Sequence, residues 1–265
     1  MAENILTVEN LNIAYQGVPA VMDVNFTLER GKVLTIVGES GSGKTTVIRA
    51  LMGLLPIGGE VTDGTMIFNG QNLRTLSKSE WRAIRGKDMA MIFQDSGSAL
   101  DPIVRISKQF RELFKAHIEI SNDECDRRAI ELLESVSLPN GADILRRYPH
   151  ELSGGQRQRV GIAMALAMDP ALLIGDEPTS ALDVTTQSQV VMQMLELAKE
   201  HNSAIVMVTH NLGVAAYMSD YIIVMKKGRV VDAGTPQDIL ENPSNEYTKQ
   251  LKDAVPTLGG GRYID

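Results

Sequence analysis

Gly38-Glu39-Ser40-Gly41-Ser42-Gly43-Lys44-Thr45 is the stretch that decides the fold of this chain. It has the form G-x-x-x-x-G-K-[ST], which predicts a phosphate-binding loop where a strand leads into it and a helix follows. An apolar run predicts the strand at residues 33–37, and residues 46–51 predict the helix. The glycines would let backbone N–H groups surround phosphates, while Lys44 adds a positive charge and Thr45 offers a hydroxyl to Mg²⁺.

A second glycine-rich helix start, Leu152-Ser153-Gly154-Gly155-Gln156, lies far downstream and cannot belong to the same loop. Ser153 can cap a helix that we expect to run to Met168, and such a helix start favours an anion. A glycine-rich hinge is the alternative, but residues 156–159 continue a helical pattern at once. The two glycine-rich sites predict an ATPase that closes its active site by pairing two chains.

Two carboxylates end the strand that is predicted at residues 172–176. Because side chains alternate along a strand, Asp176 and Glu177 point in different directions and can have separate roles. Asp176 would face Mg²⁺, and Glu177 would act as general base on the attacking water. An acidic strand end exposed to solvent is the plain alternative, and the phosphate loop upstream favours the functional interpretation.

Three further residues are weak candidates when each is considered alone. His210 follows the strand predicted at 204–209, where it could bond a γ-phosphate oxygen or simply be polar surface. Gln94 ends the strand predicted at 89–93, where its amide could contact Mg²⁺ or water, or be an ordinary loop residue. Tyr15 lies in a turn-rich stretch, where its ring could stack on adenine or fill half-buried space.

Composition limits the functional classes. The chain has 265 residues, 43% of them hydrophobic, and a net charge of −7, which argues against a protein whose main role is to coat nucleic acid. Its single cysteine, Cys125, excludes an intrachain disulfide and a cysteine-rich metal cluster within these residues. No signal peptide is predicted, and the apolar region 160–175 is interrupted at Asp169-Pro170. We therefore expect a soluble chain that acts at a membrane only through a partner.

The order of predicted elements defines an α/β fold. Early strands are expected at residues 5–11, 24–28 and 65–69, with a loop around 15–17 and a glycine- and proline-rich loop at 53–64. Residues 98–149 have a helical pattern that includes an N-cap at Ser121. Strand–helix alternation then resumes, with strands at 172–176, 204–209, 221–225 and 229–234, and helices at 184–201, 237–240 and 246–251. This order predicts a mostly parallel sheet covered on both faces, with a helical insertion.

Taken together, the motifs resemble those of the nucleotide-binding subunit of an ABC transporter. The resemblance spans nearly the whole chain and rests on Gly38 to Thr45, Gln94, Leu152 to Gln156, Asp176-Glu177, Ser180-Ala181-Leu182-Asp183 and His210. In that family these are the Walker A loop, Q-loop, signature, Walker B, D-loop and switch histidine. The resemblance implies a P-loop NTPase core of the RecA type, with an antiparallel β subdomain and an inserted helical subdomain that carries the signature.

The resemblance also implies a division of the chain. Residues 1–256 would form the ATPase domain, followed by a flexible tail at 257–265. Within the domain, a core is expected at about 1–97 and 156–235. A helical subdomain is expected at about 98–155, and short C-terminal helices at about 236–256.

ATP and Mg²⁺ are the cofactors that the resemblance implies. Catalytic roles would belong to Glu177, His210 and Gln94, and Mg²⁺ would be held by Thr45, Gln94 and Asp176. Two chains would pack head to tail, so that the signature of one faces the γ-phosphate held at Lys44 of the other. The residues implied to contact ATP are Tyr15, Gly38, Ser40, Gly41, Gly43, Lys44, Thr45, Thr46, Ser153, Gly154, Gly155, Gln156 and Asp183.

Within the family, the chain resembles the ATPases of oligopeptide, dipeptide and nickel uptake systems, and their first (D-type) ATPase in particular. Residues 84–95, 148–153 and 247–256 carry this resemblance. Ser96-Gly97, Gly175 and Asn245-Glu246 depart from the usual pattern, but none of them removes a catalytic group. A cysteine-bearing C-terminal extension is absent from this sequence, so no iron–sulfur cluster is expected, and the cargo implied is a peptide or a nickel or metal chelate.

The resemblance implies a peripheral protein on the cytoplasmic face of the cell membrane. Its partners would be a second ABC ATPase (an F-type sister chain or a copy of itself), two transmembrane permease subunits and an extracytoplasmic substrate-binding protein, with no nucleic acid. Residues 96–110 would transmit motion to the permeases. Two alternatives stay open: an exporter ATPase, and an ABC-type ATPase of DNA repair or translation. The absence of sustained heptads between Lys44 and Ser153 disfavours the latter.

Overall fold

The structure is a computed structural model that describes residues 3–94, 99–178 and 191–254, apart from residues 193 and 197. The predicted Asp183, the departure at Ser96-Gly97, the tail at 257–265 and the first part of the helix predicted at 184–201 lie outside the described residues. The chain divides into two compact units, one formed by residues 1–78 and 204–265 and the other by residues 79–203.

In the first unit, an antiparallel sheet has the strand order β2-β1-β4-β5. Its strands are β1 (Asn4–Tyr15), β2 (Val18–Glu29), β4 (Gly59–Phe68) and β5 (Gln71–Asn72). The predicted loop around 15–17 is confirmed as a two-residue hairpin turn at Gln16 and Gly17, at φ 49° and 82°, although Tyr15 itself belongs to β1. The predicted loop at 53–64 is confirmed at 53–58 and wrong at 59–64, which belong to β4. The second half of this glycine-rich segment forms the start of β4, which is bulged against β1. Gly64, at φ 94°, leaves room there for the Asn10 carbonyl.

A second set of strands in this unit is built around a central parallel strand. The strands are β3 (Val33–Val37), β8 (Ala204–Thr209), β9 (Tyr221–Lys226) and β10 (Arg229–Gly234). Strand β3 pairs in parallel with both β8 and β9, and β10 pairs antiparallel with β9. Val37 lies opposite Thr209 on one side and Val224 on the other. The carboxyl ends of the three parallel strands therefore share one edge.

Helices cover these strands. They are α1 (Lys44–Leu51), α7 (Leu212–Met218), α8 (Pro236–Glu241) and α9 (Glu246–Asp253), with a 3-10 helix at Leu73–Thr75. Helix α7 was not predicted, since it is short and contains Gly213, but Asn211 caps it by accepting hydrogen bonds from the N–H groups of Gly213 and Val214. Val37, Leu212 and Tyr247 belong to one buried apolar cluster that joins the strands to α7 and α9.

In the second unit, β6 (Met89–Ile92) pairs in parallel with β7 (Leu172–Asp176). Strand β7 is buried at every position, which explains why it has a continuous apolar sequence rather than an alternating one. The predicted bounds of β7 are confirmed, and β6 ends one residue before its predicted end.

The helices of the second unit confirm the helical pattern predicted for residues 98–149. They are α2 (Lys78–Ile84), α3 (Ile106–Lys115), α4 (Asn122–Ser135), α5 (Gly141–Arg146) and α6 (Gly154–Leu166), with a 3-10 helix at Pro149–Glu151. Ser121 caps α4 by accepting a hydrogen bond from the Glu124 N–H, as predicted. Nowhere in the described ranges is a helix long and apolar enough to cross a membrane.

Candidate functional site

The phosphate loop of the first unit joins β3 to α1, which is the context that the sequence motif requires. Gly38 has no room for a side chain, because a Cβ atom built on it would lie 2.2 Å from the carbonyl oxygen of Met225. Gly43 precedes α1 with φ 102°, a conformation that favours glycine. The N–H of Gly228 donates to the Ser42 carbonyl at 2.9 Å. The loop is therefore fixed against the β9–β10 hairpin.

Lys44 is held inside this loop. It is 5% exposed, and its Nζ donates to the carbonyl oxygens of Gly38 at 2.7 Å and Glu39 at 2.8 Å. These carbonyl dipoles stabilise a buried ammonium without removing its charge. Helix α1 begins at Lys44 with no side-chain cap, and a helix start of this kind favours an anion. The ammonium and the helix start therefore suit a phosphate group.

The pairing of β3 with β8 places His210 beside the start of the phosphate loop. Val37 and Thr209 are partners across the two parallel strands, and Gly38 and His210 follow them directly. The His210 residue is exposed. Within the first unit, the structure thus brings together the loop and the histidine predicted to sense the γ-phosphate.

Tyr15 is the last residue of β1 rather than a loop residue, which corrects the predicted local structure. It pairs with Val18 on β2 and with Gly59 on β4, and it is half-buried. Gly59 leaves space for the ring, since a Cβ there would lie 2.6 Å from Cε1 of Tyr15. The ring is held at a sheet end, a position compatible with stacking on a base or with plain packing.

In the second unit, the ends of β6 and β7 bring Gln94 and the two carboxylates to one edge. Ile92 is paired with Gly175, so Asp176 follows this pair by one residue and Gln94 follows it by two. Asp176 is 4% exposed, whereas Gln94 is exposed. Glu177 is half-buried and has φ 45°, a backbone conformation that is costly for a residue with a side chain and is common at functional sites.

The signature segment forms the start of α6. Ser153 caps the helix, with its Oγ accepting from the Gln156 N–H at 3.2 Å, and Gln156 Oε1 accepts from the Ser153 N–H at 3.0 Å. This reciprocal pair confirms the predicted cap. The helix ends at Leu166, two residues before the predicted Met168. Ser153 and Gly154 are exposed, and Gly155 and Gln156 are half-buried, so this helix start is open to a ligand or partner.

Three contacts at the site were not found from the sequence. The Tyr247 hydroxyl accepts from the Glu39 N–H of the phosphate loop, and Gly228 supports the same loop. On the signature helix, the buried Gln158 donates to the carbonyl of Pro178, one residue after Glu177. Each contact joins segments far apart in the sequence. Of the three, only the contact of Gly228 had a local signal in the sequence, namely a glycine in the turn between two predicted strands.

Oxygen donors of the types that Mg²⁺ prefers lie in each unit. The first unit has the hydroxyl of Thr45, and the second has the amide of Gln94 and the carboxylate of Asp176. Among the described residues, no group of three or more His, Cys, Asp or Glu side chains could hold a metal ion unaided. The donors within each unit suit a hard cation that also takes phosphate oxygens as ligands.

The parallel strands, the loop between β3 and α1 and the buried lysine define a P-loop nucleotide-binding ATPase. The model of the ABC transporter family matches residues 21–180. This chain is 46% identical over 261 residues to the dipeptide transport ATP-binding protein DppD of Lactococcus lactis subsp. cremoris, covering 97% of this chain and 75% of that protein. The chain therefore belongs to the ABC transporter family, whose nucleotide-binding chains hydrolyse ATP.

Further relatives agree with this assignment. Identity is 44% over 259 residues to the oligopeptide transport ATP-binding protein OppD of Bacillus subtilis, covering 96% of this chain and 72% of that protein. The chain is also 43% identical over its whole length to the glutathione import ATP-binding protein GsiA of Escherichia coli, of which it spans only 44%. The solved dimer of the bacterial ABC transporter cassette MJ0796 has a TM-score of 0.78 and 30% identity, covering 87% of this chain and 98% of that one.

Proposed function

We propose that this chain is the ATP-binding and ATP-hydrolysing subunit of an ABC importer that takes up peptides. Near-full-length similarity to a dipeptide transport subunit carries the proposal. Relatives that serve oligopeptide and glutathione uptake agree with it and favour a peptide over a nickel or metal chelate. Neither an exporter nor a DNA-repair or translation ATPase is among these relatives.

In the proposed mechanism, Lys44 and the start of α1 hold the β- and γ-phosphates of ATP, and the Tyr15 ring stacks on adenine. Bound Mg²⁺ would neutralise phosphate charge at Thr45, Gln94 and Asp176. Glu177 accepts a proton from the attacking water, and His210 bonds a γ-phosphate oxygen. Gly38, Ser40, Gly41, Gly43 and Thr46 would complete the phosphate contacts.

The proposed assembly pairs two chains head to tail. Ser153, Gly154, Gly155 and Gln156 of one chain would face the nucleotide of the other, with Asp183 at the seam. The second chain would be an F-type sister ATPase or a copy of this one. Because the γ-phosphate would be shared by both chains, replacing ATP by ADP would weaken the pair.

A groove on the second unit suits contact with a membrane subunit. It has a volume of about 630 Å³ and is lined by Arg105, Lys108, Arg111 and Arg146, with Asp126 paired to Arg111. Ile103 at its border is 82% exposed. This groove contains part of the segment 96–110 that is expected to transmit motion. We propose that a cytoplasmic segment of a permease subunit binds in this groove. The chain would then lie at the cytoplasmic face of the membrane, and a substrate-binding protein would act on the opposite side.

Lys44→Ala tests the nucleotide site. Removing a charged donor should weaken ATP binding roughly 10- to 150-fold, as judged by titration with a fluorescent ATP analogue. Lys78→Ala is the matched control, since Lys78 is an exposed lysine at the start of α2. Unchanged affinity in Lys44→Ala would contradict the phosphate assignment.

Affinity purification from solubilised membranes of the source cell tests the transport assignment. With the tagged chain as bait and ATP present, two permease proteins and an ATPase should be recovered. Recovery of ribosomes or DNA instead would favour the alternative functions.

A further inference from the structure

Helix α9 contributes a side chain to the phosphate loop. The backbone N–H of Glu39 donates to the hydroxyl oxygen of Tyr247 at 2.9 Å. Tyr247 is 3% exposed and packs in the apolar cluster that contains Val37, the residue that precedes the loop. A residue near the end of the described chain therefore contacts the second residue of the loop directly.

The contact fixes a peptide unit that also holds Lys44. The Gly38 carbonyl accepts from Lys44 Nζ at 2.7 Å, and the Glu39 N–H of the same peptide unit donates to Tyr247. Because a peptide unit is planar, its carbonyl and its N–H must rotate together. A single orientation of this peptide therefore serves both contacts. It directs the Gly38 carbonyl toward the Lys44 ammonium and the Glu39 N–H toward the Tyr247 oxygen.

The adjoining peptide reinforces this arrangement. The Glu39 carbonyl accepts from Lys44 Nζ at 2.8 Å and from the Ser42 N–H at 3.2 Å. Both carbonyl contacts of Lys44 thus lie on the two peptide units that flank the Glu39 Cα atom. Loss of the Tyr247 oxygen would release the first of these units.

Tyr247 is itself held in place from β9 and β10. The Lys226 ammonium lies 4.2 Å from the centre of the Tyr247 ring. The Asn245 side chain accepts from the Tyr247 N–H at 2.9 Å and so caps α9. Asp232 on β10 accepts from the Ser244 hydroxyl at 2.7 Å and from the Asn245 N–H at 3.2 Å. Hydrogen bonds therefore run from β10 to the start of α9, whose first turn carries Tyr247.

The chemistry of the hydroxyl suits a permanent acceptor. Burial is the main cause that raises the pKa of Tyr247 above its ordinary value, so the side chain is neutral at physiological pH. A neutral phenol oxygen can accept the Glu39 N–H without placing a negative charge near a phosphate site.

We propose that Tyr247 is a positioning residue for nucleotide binding, because its hydroxyl oxygen fixes the Gly38–Glu39 peptide and thereby the ammonium of Lys44. The inference rests on the proposed binding of ATP phosphates at Lys44. It gives helix α9 a role in setting the affinity of the loop for ATP.

Tyr247→Phe removes only the hydroxyl and keeps the ring against Lys226 and the apolar cluster. Its Kd for a fluorescent ATP analogue should rise about fivefold, the value expected for one hydrogen bond. In the assembled transporter KM for ATP should rise likewise, with kcat at saturating ATP within about twofold of wild type. Tyr221→Phe, a hydroxyl deletion at an exposed position of β9, is the matched control and should leave both constants unchanged.

Three results would overturn the inference: an unchanged Kd in folded Tyr247→Phe protein, an equal change in Tyr221→Phe, or a fall in kcat with KM unaltered. A role confined to core packing would lower the melting temperature and leave Kd as it was. Ser244→Ala provides a second variant that keeps Tyr247 intact but removes one hydrogen bond from its anchor, and it should weaken ATP binding by a smaller factor.

The same titrations separate this inference from the proposed function. If Lys44→Ala binds ATP as wild type does, the phosphate assignment itself fails. If Lys44→Ala loses affinity while Tyr247→Phe and Ser244→Ala retain it, only the role of Tyr247 is refuted.

Discussion

At the residue scale, Glu177 is the side chain on which the proposed chemistry depends. It follows a fully buried strand, and its backbone has φ 45°. The adjacent Pro178 carbonyl is held by Gln158 of the signature helix. A strained residue persists only where its surroundings fix it, so the backbone at Glu177 is fixed by the end of β7 and by α6 together.

Glu177→Gln should keep ATP binding and lose turnover. The amide has nearly the same size but cannot accept a proton, so phosphate release should fall roughly 10²- to 10⁴-fold. Glu134→Gln, on the exposed face of α4, is the matched control. Measurements of phosphate release and ATP affinity on both variants test whether Glu177 is the general base. Undiminished hydrolysis in Glu177→Gln would exclude that role.

Gly38→Ala should be more damaging than the same change at another glycine. A new Cβ would lie 2.2 Å from the Met225 carbonyl and 2.8 Å from Ser42 Oγ, so the loop or β9 must shift. Gly70 has φ 79° and open space around it, so Gly70→Ala adds backbone strain of only about 1–2 kcal/mol. Thermal melting and ATP titration of both variants should show a larger loss of stability for Gly38→Ala and a loss of affinity in that variant alone. Equal behaviour would contradict the close approach at Gly38.

The residues that sequence reasoning identifies are those whose contacts are local. Lys44 contacts a carbonyl only six positions away, within the motif that predicted it. Tyr247 contacts Glu39 across 208 positions, and no local pattern encodes such a pair. The same is true of the close approach of Met225 to Gly38, which depends on how β9 lies beside β3. Motifs therefore predict which loop binds phosphate, and the structure adds what holds that loop.

At the element scale, strands with continuous apolar sequences were predicted well. The bounds of β3, β7 and β8 agree with the predicted ones. Strand β1 ends four residues later than predicted and β4 begins six residues earlier, because glycines and left-handed residues that usually end strands here form bulges within paired strands. Bulges depend on the partner strand, which a single sequence does not show.

Asp232 links stability to pH through the anchor of α9. Burial alone would raise its pKa, but hydrogen bonds from Ser244 and Asn245 outweigh that effect and hold the pKa below its ordinary value. A depressed carboxyl pKa contributes stability that is fully present above the unfolded value of about 3.9 and is lost as pH falls through the folded value. The contribution should therefore be complete at neutral pH and disappear in acid.

Asp232→Asn should lower the free energy of unfolding at pH 7 by about 2 kcal/mol, since hydrogen bonds to a charged acceptor are weakened. The difference from wild type should shrink as pH falls below about 4, where the unfolded chain takes up a proton at this carboxyl before the folded chain does. Denaturant titrations at pH 7 and pH 3 measure both values, with Asp253→Asn at the exposed end of α9 as control. A difference that stayed constant across this range would show that the charge of Asp232 does not stabilise the fold.

At the scale of the whole molecule, the proposed function depends on nucleotide-controlled pairing. Driving a two-state assembly from 1:99 to 99:1 takes about 5.5 kcal/mol of differential binding. A γ-phosphate contacted by Lys44 in one chain and by the signature in the other could supply this energy only in the ATP state. The exposed start of α6 is the part of this chain that would meet the partner's nucleotide.

Gly154→Asp tests this pairing without disturbing the fold of one chain. A Cβ at Gly154 would have only Arg157 Nη2 near it, at 4.0 Å, and an acidic residue in the first turn of α6 is itself favourable by about 0.3–1 kcal/mol. In the Glu177→Gln background with ATP, sedimentation should show pairing, either of the chain with itself or with its sister ATPase. Adding Gly154→Asp should abolish the pair through repulsion of the partner's phosphates, while the melting temperature does not fall and Gly154→Ala still pairs. Persistent pairing of the aspartate variant would mean that the signature does not face the nucleotide of a second chain.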